Sequence, residues 1–162
     1  MSNSLVVTDP PQVWGVFQQT FVLASRYLES VSARFGLSHP QAAVLKVLRE
    51  HGQALPLSRI ARLLTQEAQS TTELADRLER RNYVRRTRDA KDRRLVLLEL
   101  TDEGRAAIDE ILPALDEARA RLFEGIPTDA HESLVTVLEQ MRVNACELGG
   151  KTSRSAVEEA VA

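Results

Sequence analysis

The sequence predicts a mainly α-helical protein with one small β-hairpin, and two observations support this. Among the 162 residues, 43% are hydrophobic but only 4% are aromatic, and Ala, Leu, Glu and Arg are abundant, a composition that favours helix over strand. Apolar residues recur at helical spacing along most of the chain, whereas residues 83 to 100 contain two short runs of Val, Leu and Arg around a polar turn. A chain of this length fits one domain of ordinary size, or a compact domain with extra helices for pairing.

The first predicted helix is long and amphipathic. It follows Pro10 and Pro11 and ends at Gly36. Its apolar residues alternate between spacings of three and four: Trp14, Phe17, Phe21, Ala24, Leu28, Val31 and Phe35. This heptad-like pattern predicts one continuous apolar stripe.

Three shorter helices are predicted next. Ser38 begins the second helix, which stops at Gly52, and residues 58 to 64 mark a short third helix. Residues 65 to 69 form a polar connection to a fourth helix that ends near Asn82, a residue that tolerates a left-handed helix stop. The buried side of this fourth helix is expected to carry Leu74, Ala75 and Leu78.

A β-hairpin and two more helices complete the chain. Residues 83 to 88 and 95 to 100 are the predicted strands, and the Asp-Ala-Lys-Asp segment between them forms a charged tip. Thr101 is expected to cap a fifth helix, in which Pro113 predicts a kink. The last helix carries an apolar stripe of Leu134, Leu138, Met141, Ala145 and Leu148 and stops at Gly149.

Positive charge is concentrated between Arg77 and Arg94. This stretch holds nine basic and three acidic side chains, whereas the whole chain has a net charge of −2. A nearly neutral protein with one cationic segment can engage a polyanion locally. The alternative interpretation of such a run is a solvated charged surface.

Two short helices, a tight connection and a basic hairpin together predict a winged helix-turn-helix over residues 37 to 104. On the second of these helices, five residues lie opposite the apolar side: Gln69, Ser70, Thr72, Glu73 and Arg77. Their amide, hydroxyl and charged groups suit the edges of bases in a major groove, so this is the candidate recognition helix. For Ser70, Thr71 and Thr72, an ordinary solvent-exposed position is the alternative.

The other candidate DNA contacts are basic side chains in or next to the hairpin. They are Arg80, Arg81, Arg85, Arg86, Arg88, Lys91, Arg93 and Arg94. Phosphates rather than bases are the expected targets of Arg77, Arg80 and Arg81, for which charge matters more than position.

Three motifs make the chain resemble the multiple-antibiotic-resistance regulator (MarR) family along roughly residues 11 to 149. They are RIARLL at residues 59 to 64, TTELADRLERRNYVRR at 71 to 86 and RDAKDRRLVLLELTDEGR at 88 to 105. The most specific part is an Asp-Arg-Arg in the hairpin, followed at a fixed distance by Leu-Thr-x-x-Gly, which here ends at Gly104.

This resemblance implies a homodimeric DNA-binding repressor or activator. It implies that the first and last helices interlock in the dimer, that the recognition helix enters the major groove and that the hairpin, the wing, enters the minor groove. By the same resemblance, Arg94 is the expected minor-groove residue, Asp92 braces the wing, and Arg93 contacts the DNA backbone or braces the wing.

The chain departs from the family pattern at three points. Asn82 stands where glycine is common, and the connection at residues 65 to 69 is more polar than usual. Glu73 stands where a basic residue is frequent. An acid at this position either accepts a hydrogen bond from a cytosine or pairs with Arg77 four residues later, and pairing is the favoured interpretation.

Dimerisation is also predicted directly from the residues. The apolar stripes of the first and last helices present more apolar surface than a small winged domain can cover. Residues 11 to 36 and 105 to 149 are therefore the expected dimerisation helices. The alternative is that the two stripes pack together inside a monomer. Residues 1 to 10 and 150 to 162 are expected to be flexible.

Many MarR-family proteins are released from a palindromic operator when a small aromatic or lipophilic anion binds between the dimerisation helices and the DNA-binding lobe. The resemblance makes Trp14, Phe17, Arg26, Tyr27, Ser30 and His39 the candidate effector contacts here. Core packing of Trp14 and Phe17, a helix-start role for His39 and solvation of Arg26 are the alternatives. A regulator without any small-molecule effector is also compatible with the sequence.

Other classes of protein find little support. There is no apolar run of 18 residues and no basic N-terminal signal region, so neither a membrane span nor a secretion signal is expected, and a cytoplasmic location is predicted. Cys146 is the only cysteine, and the three histidines are far apart in sequence. No catalytic, cofactor or metal site is therefore predicted. A helical interaction module whose basic segment binds an acidic protein partner is the alternative function.

Overall fold

The computed structural model describes residues 9–89, 92 and 95–149, and these form six helices and three short strands. The helices are α1 Pro10–Ala33, α2 His39–His51, α3 Leu57–Leu63, α4 Ala68–Arg80, α5 Asp102–Leu122 and α6 Thr128–Leu148. The strands are β1 Leu55–Pro56, β2 Val84–Arg88 and β3 Val96–Leu100. This architecture confirms the mainly α-helical winged helix-turn-helix.

The predicted helix boundaries rest on local hydrogen bonds. Ser38 accepts a bond from the backbone of Gln41, and the Gln41 side chain accepts one from the backbone of Ser38, which closes a capping box at the start of α2. Thr101 caps α5 by accepting a bond of 3.0 Å from the Gly104 backbone. Asn82 has a φ of 57°, the left-handed geometry expected of the residue that follows α4.

Three boundaries differ from the sequence prediction. α3 already begins at Leu57, and α4 begins at Ala68, so the connection between these helices is shorter than residues 65 to 69. α1 begins at Pro10, inside the segment expected to be flexible, because the Asp9 side chain caps it by accepting a bond of 2.8 Å from the Gln12 backbone. α5 continues through Pro113 as a single helix.

The three strands form an antiparallel sheet in the order β1-β3-β2. β1 was not predicted. It consists of two residues, which pair with Leu97 and Leu98 of β3. The hairpin pairs Val84 with Leu100 and Arg88 with Val96, so the two predicted strands are confirmed with slightly shorter bounds.

The core lies inside the DNA-binding lobe and continues along α5. Its fully buried large side chains come from α2, α3, α4, the sheet and α5: Val44, Leu45, Leu48, Leu55, Ile60, Leu78, Val84, Leu98, Ile108, Ile111 and Leu115. These contacts fix α4 and the β2–β3 hairpin on one framework.

The outer helices are largely unburied. In α1 only Val31 and Ser32 are buried, and α6 has no buried residue. Trp14 is 55% exposed, and Phe21, Leu138 and Leu148 are exposed as well. Packing of the two stripes inside a single chain is therefore not observed for the described residues. None of the helices in this part of the chain is long and apolar enough to cross a membrane.

Candidate nucleic-acid interface

The connection between α3 and α4 is a tight turn. Thr65 has a φ of 51°, its N–H bonds to the Arg62 carbonyl at 3.0 Å, and the N–H of Gln66 bonds to the Ala61 carbonyl at 2.8 Å. These bonds end α3 and redirect the chain into α4 within a few residues. The polar composition of this connection is thus compatible with a helix-turn-helix.

α4 has one buried and one exposed side. The side that faces the core carries Thr71, Leu74, Ala75 and Leu78. Thr71 is only 1% exposed, which corrects the sequence-based alternative that it is an ordinary solvent-exposed residue. Its hydroxyl donates to the Glu67 carbonyl at 3.2 Å, which satisfies it locally. The five candidate base-reading residues, Gln69, Ser70, Thr72, Glu73 and Arg77, are all exposed on the opposite side.

Two of the exposed residues of α4 form an ion pair. A carboxylate oxygen of Glu73 lies 3.9 Å from a guanidinium nitrogen of Arg77, and both side chains are more than half exposed. This agrees with the interpretation that Glu73 pairs with Arg77. At such exposure the pair contributes little to stability, so either side chain can turn towards DNA at small cost.

The hairpin carries its basic residues on two different sides. The Arg85 side chain is 64% exposed, and its guanidinium lies 3.0 Å from Glu99 on the neighbouring strand. The hydrogen bond that Arg85 donates to Glu99, followed by the negative charge of Glu99, raises the pKa of Arg85. The next residue, Arg86, points the other way, is 26% exposed and bonds to Asp76 and Glu79 of α4. Arg80 is exposed, and its Nε donates to the Asp76 carbonyl at 3.3 Å.

Arg81 holds the base of the wing to the end of α1. Its guanidinium donates to the Gly36 carbonyl and, at 3.0 Å, to the Tyr83 hydroxyl, and it lies 4.6 Å from the centre of the Tyr83 ring. The Arg81 side chain, which the sequence analysis assigned to a DNA phosphate, is therefore engaged in contacts within the protein. The signal that identifies them is the neighbouring Tyr83, whose ring can accept a guanidinium.

The described part of the wing tip is closed by backbone bonds. The Asp89 N–H donates to the Leu95 carbonyl at 3.1 Å, and the Leu95 N–H donates to the Asp92 carbonyl at 2.9 Å. The Asp89 carboxylate accepts a bond of 2.8 Å from the Asp92 N–H. Asp89 is therefore an acid that braces the tip, in addition to the predicted Asp92. Lys91, Arg93 and Arg94 lie outside the described residues.

The sequence of this lobe matches a known family. The sequence model of the MarR family matches residues 37–96 of this chain, which include α2, α3, α4 and β2. The HTH-type transcriptional regulator YfiV of Bacillus subtilis is 32% identical over 86% of this chain and 77% of its own length. The chain belongs to the MarR family.

Three further proteins resemble this MarR-family chain in sequence or fold. The HTH-type transcriptional repressor MdtR of B. subtilis is 39% identical over 58% of this chain and 59% of its own length. CouR of Rhodococcus jostii, in a crystal structure with p-coumaroyl-CoA, is 25% identical with a TM-score of 0.73, covering 85% of this chain and 95% of CouR. The S. aureus MepR–DNA complex has a TM-score of 0.75 at 22% identity and covers 80% of this chain and 95% of MepR, which shows a shared fold. This chain is a DNA-binding transcriptional regulator, and its relatives are regulators rather than enzymes.

The MarR-family chain has a cavity of about 290 Å³ between α2, the end of α3 and α5. Apolar walls come from Val47, Leu63, Leu64 and Leu115, and the polar lining includes His39, Lys46, Glu50, His51 and Arg119. Burial, and then the charge of Arg119, lower the pKa of His39, so the imidazole is neutral at pH 7. Arg119 and Lys46 are the lysine and arginine of the lining, and they pair with Asp116 at 2.7 Å and with Glu50 at 2.5 Å.

Only one of the six predicted effector contacts lines this cavity, and that residue is His39. Trp14 and Phe17 pack against each other with ring centres 5.6 Å apart near the start of α1. Arg26 and Ser30 are exposed on α1, and Tyr27 packs at the edge of the core. The sequence analysis missed Lys46 and Arg119, because nothing local in the sequence reveals that α2 and α5 face the same space.

Within the described residues no group of three or more His, Cys, Asp or Glu side chains is arranged to hold a metal ion. Cys146 is partly exposed on α6, a helix without buried residues.

Proposed function

We propose that this MarR-family regulator is a cytoplasmic homodimeric repressor that binds a palindromic operator. In this proposal, residues 37 to 104 form the DNA-binding lobe, with α4 in the major groove and the wing beside the minor groove. Residues 11 to 36 and 105 to 149 form the dimerisation helices. The repressor role is supported by the similarity to MdtR, a transcriptional repressor.

One observation supports the DNA-binding geometry most directly. α4 exposes five polar residues on the side opposite the core, and the cationic hairpin is attached to the same framework beside it. A helix that presents amide, hydroxyl and guanidinium groups can read base edges, while adjacent arginines neutralise phosphates. The DNA complex of MepR, which has the same fold, supports this arrangement.

The experiment compares two kinds of variant in fluorescence-anisotropy titrations on an operator and on a scrambled duplex. Gln69→Ala or Thr72→Ala should change which base pair is preferred, by about 1 to 3 kcal/mol for each lost contact. Arg80→Ala or Arg85→Ala should weaken binding to every sequence and flatten the dependence on salt. Variants of Gln69 and Thr72 that bind all sequences like the wild type would mean that α4 does not read the bases.

Arg94 remains the proposed minor-groove residue of the wing. A narrow minor groove rich in A·T pairs concentrates negative potential, which favours a planar guanidinium over the more strongly hydrated ammonium of lysine. Arg94→Ala should therefore remove most operator affinity without lowering the melting temperature, and Arg94→Lys should restore it only in part. If Arg94→Ala binds the operator within about twofold of the wild type, Arg94 makes no minor-groove contact of the usual strength.

We also propose that a small aromatic or lipophilic anion binds in the cavity beside His39 and releases the operator. Arg119 and Lys46 supply the positive charge, and the leucine and valine walls suit an apolar ring. The ligand-bound structure of CouR supports an effector for a protein of this family. A panel of aromatic carboxylates, titrated into the protein–operator complex, tests this, with Arg119→Gln as the variant that should respond less. Operator binding that no member of the panel changes would favour a regulator without such an effector.

The alternative function, a module that binds an acidic protein, predicts a different result. Such a module binds any polyanion in a salt-dependent manner and does not distinguish a palindromic duplex from a scrambled one. A specificity ratio near one between these two duplexes would therefore favour the protein partner.

A further inference from the structure

Arg86 joins the wing to the recognition helix at several points. Its two terminal nitrogens lie 2.5 Å from Asp76 and 2.6 Å from Glu79. Its backbone N–H donates to the second carboxylate oxygen of Glu79 at 3.1 Å, and its guanidinium reaches the Thr72 carbonyl at 3.4 Å. One residue of β2 thus contacts three positions along α4.

We propose that Arg86 is a positioning residue, which fixes the angle between the wing and the recognition helix, and that it is not a DNA phosphate contact. This inference rests on the proposed function, in which α4 and the wing engage the same operator. Because both elements must reach their grooves at once, an error in their relative angle lowers affinity even when every contacting side chain is intact.

The direction of the side chain supports this role. Along β2 successive side chains point to opposite sides of the sheet. Arg86 pairs across the hairpin with the buried Leu98, and Arg85 pairs with Glu99. The side chain of Arg86 is 26% exposed and that of Arg85 is 64% exposed. Arg85 is therefore available to a phosphate, whereas Arg86 is directed at α4.

The acids that Arg86 contacts give a second argument. Asp76 and Glu79 lie on the helix that enters the groove, where a carboxylate repels phosphate. If these acids had no other task, removing one of them would strengthen DNA binding. If they hold the guanidinium of Arg86 in place, removing one of the two carboxylates would weaken DNA binding, even though the protein loses a negative charge. The two roles thus predict opposite signs.

The contacts with α4 also require a guanidinium and not only a positive charge. Its planar guanidinium donates in several directions at once, and here it serves Asp76, Glu79 and the Thr72 carbonyl. A lysine keeps the charge but cannot bridge these acceptors in the same way. A phosphate contact, by contrast, depends mainly on charge and tolerates lysine well.

The experiment measures operator affinity of the full-length protein against salt concentration for three variants. Glu79→Gln and Arg86→Lys alter the contact with α4. Glu99→Gln alters the exposed pair on the other side of the same hairpin and serves as the matched control. We expect Glu79→Gln and Arg86→Lys to weaken operator binding by about tenfold, within the range of coupling in one ion-pair network, with an unchanged salt slope. We expect Glu99→Gln to bind as tightly as the wild type or more tightly.

A shortened duplex separates positioning from a general loss of structure. When the flanking bases that the wing reaches are trimmed away, wild type and Arg86→Lys should bind with similar affinity, because the angle of the wing no longer matters. A purely structural defect would weaken binding to both duplexes equally. Wild-type binding to the operator is the prerequisite, and its absence would refute the proposed function rather than the role of Arg86.

Two outcomes would overturn the inference. One is a Glu79→Gln variant that binds the operator at least as tightly as Glu99→Gln. The other is an Arg86→Lys variant with wild-type affinity, together with an Arg86→Gln variant whose salt slope falls by about one, as expected for a lost phosphate contact.

Discussion

Gly104 lies where the fold leaves no room for a side chain. A Cβ atom built at this position would be 1.8 Å from the Tyr83 carbonyl oxygen and 3.1 Å from a methyl group of Leu100. The Tyr83 carbonyl also accepts a bond from Thr101, so it cannot move away without breaking the start of α5. The glycine of the Leu-Thr-x-x-Gly motif is therefore a packing requirement at the base of the wing.

We predict that Gly104→Ala destabilises the protein by about 3 kcal/mol, the upper end of the cost of overpacking. Gly36→Ala is the comparator. Its φ is +70°, and an added Cβ would meet only the Arg81 guanidinium at 3.5 Å, so a loss of about 1 kcal/mol from left-handed strain is expected. Urea denaturation of both variants measures the difference. Equal losses would show that the contact with the Tyr83 carbonyl relaxes at no cost.

His39 gives stability a dependence on pH. Its folded-state pKa lies below 6.5 because of burial and then the charge of Arg119, and only Glu29 acts in the opposite direction. The unfolded chain thus binds the proton more readily, so this contribution to stability is present above about pH 6.5 and is lost as the pH falls below it. Melting temperatures of wild type and His39→Gln at about pH 7.5 and pH 5 test this. The variant should lose less stability on acidification, and an identical loss would assign the effect to other groups.

At the scale of elements, α6 and the first half of α1 are the exposed helical segments. α6 spans 21 residues without burying one of them, and residues 10 to 21 of α1 bury none either. Exposed apolar side chains on both helices include Val13, Trp14, Val16, Phe21, Leu134, Val135, Leu138 and Leu148. Exposed apolar side chains in such number on two helices are typical of an interface with another chain.

We predict that the wild type sediments at twice the chain mass at micromolar concentration and that Leu138→Asp shifts it to the monomer. A charge in an apolar interface has no partner to compensate its desolvation. Operator affinity should fall together with the mass, because a monomer engages only one half-site. A wild type that is a well-folded monomer would contradict both the interface and the proposed dimer.

The elements show what local sequence can and cannot predict. Ser38, Asn82 and Thr101 mark helix ends by their own hydrogen bonds or dihedral angles, so they were recognised in the sequence. β1 is two residues long and includes Pro56, so neither alternation nor propensity reveals it, and only pairing with β3 creates it.

The candidate site divides in the same way. The exposed side of α4 follows from the spacing of its buried residues, and its five polar residues were predicted correctly to lie opposite the core. The roles of Arg86 and of the cavity lining depend on tertiary contacts, such as the one between Arg86 and Glu79 across seven positions. A run of arginines in a sequence shows their charge but not which of them have acids as neighbours.

At the scale of the whole molecule, the proposed dimer would set the spacing of the DNA contacts. Two copies of α4 related by a twofold axis would meet successive major grooves on one side of the duplex. Such half-sites lie about 10 to 10.5 base pairs apart, or a multiple of this distance. The proposed palindrome is thus a geometric consequence of the proposed dimer.

We therefore predict that inserting about five base pairs at the centre of the operator lowers affinity to the level of a scrambled duplex, because it turns one half-site by about half a helical turn. Inserting about ten base pairs returns both half-sites to the same side of the duplex but moves them apart by roughly 34 Å, so a rigid dimer should regain little affinity. Anisotropy titrations at one fixed salt concentration compare these duplexes with the native spacing. Affinity that is insensitive to both insertions would mean that the two lobes bind independently, and α1 and α6 would then have no part in operator recognition.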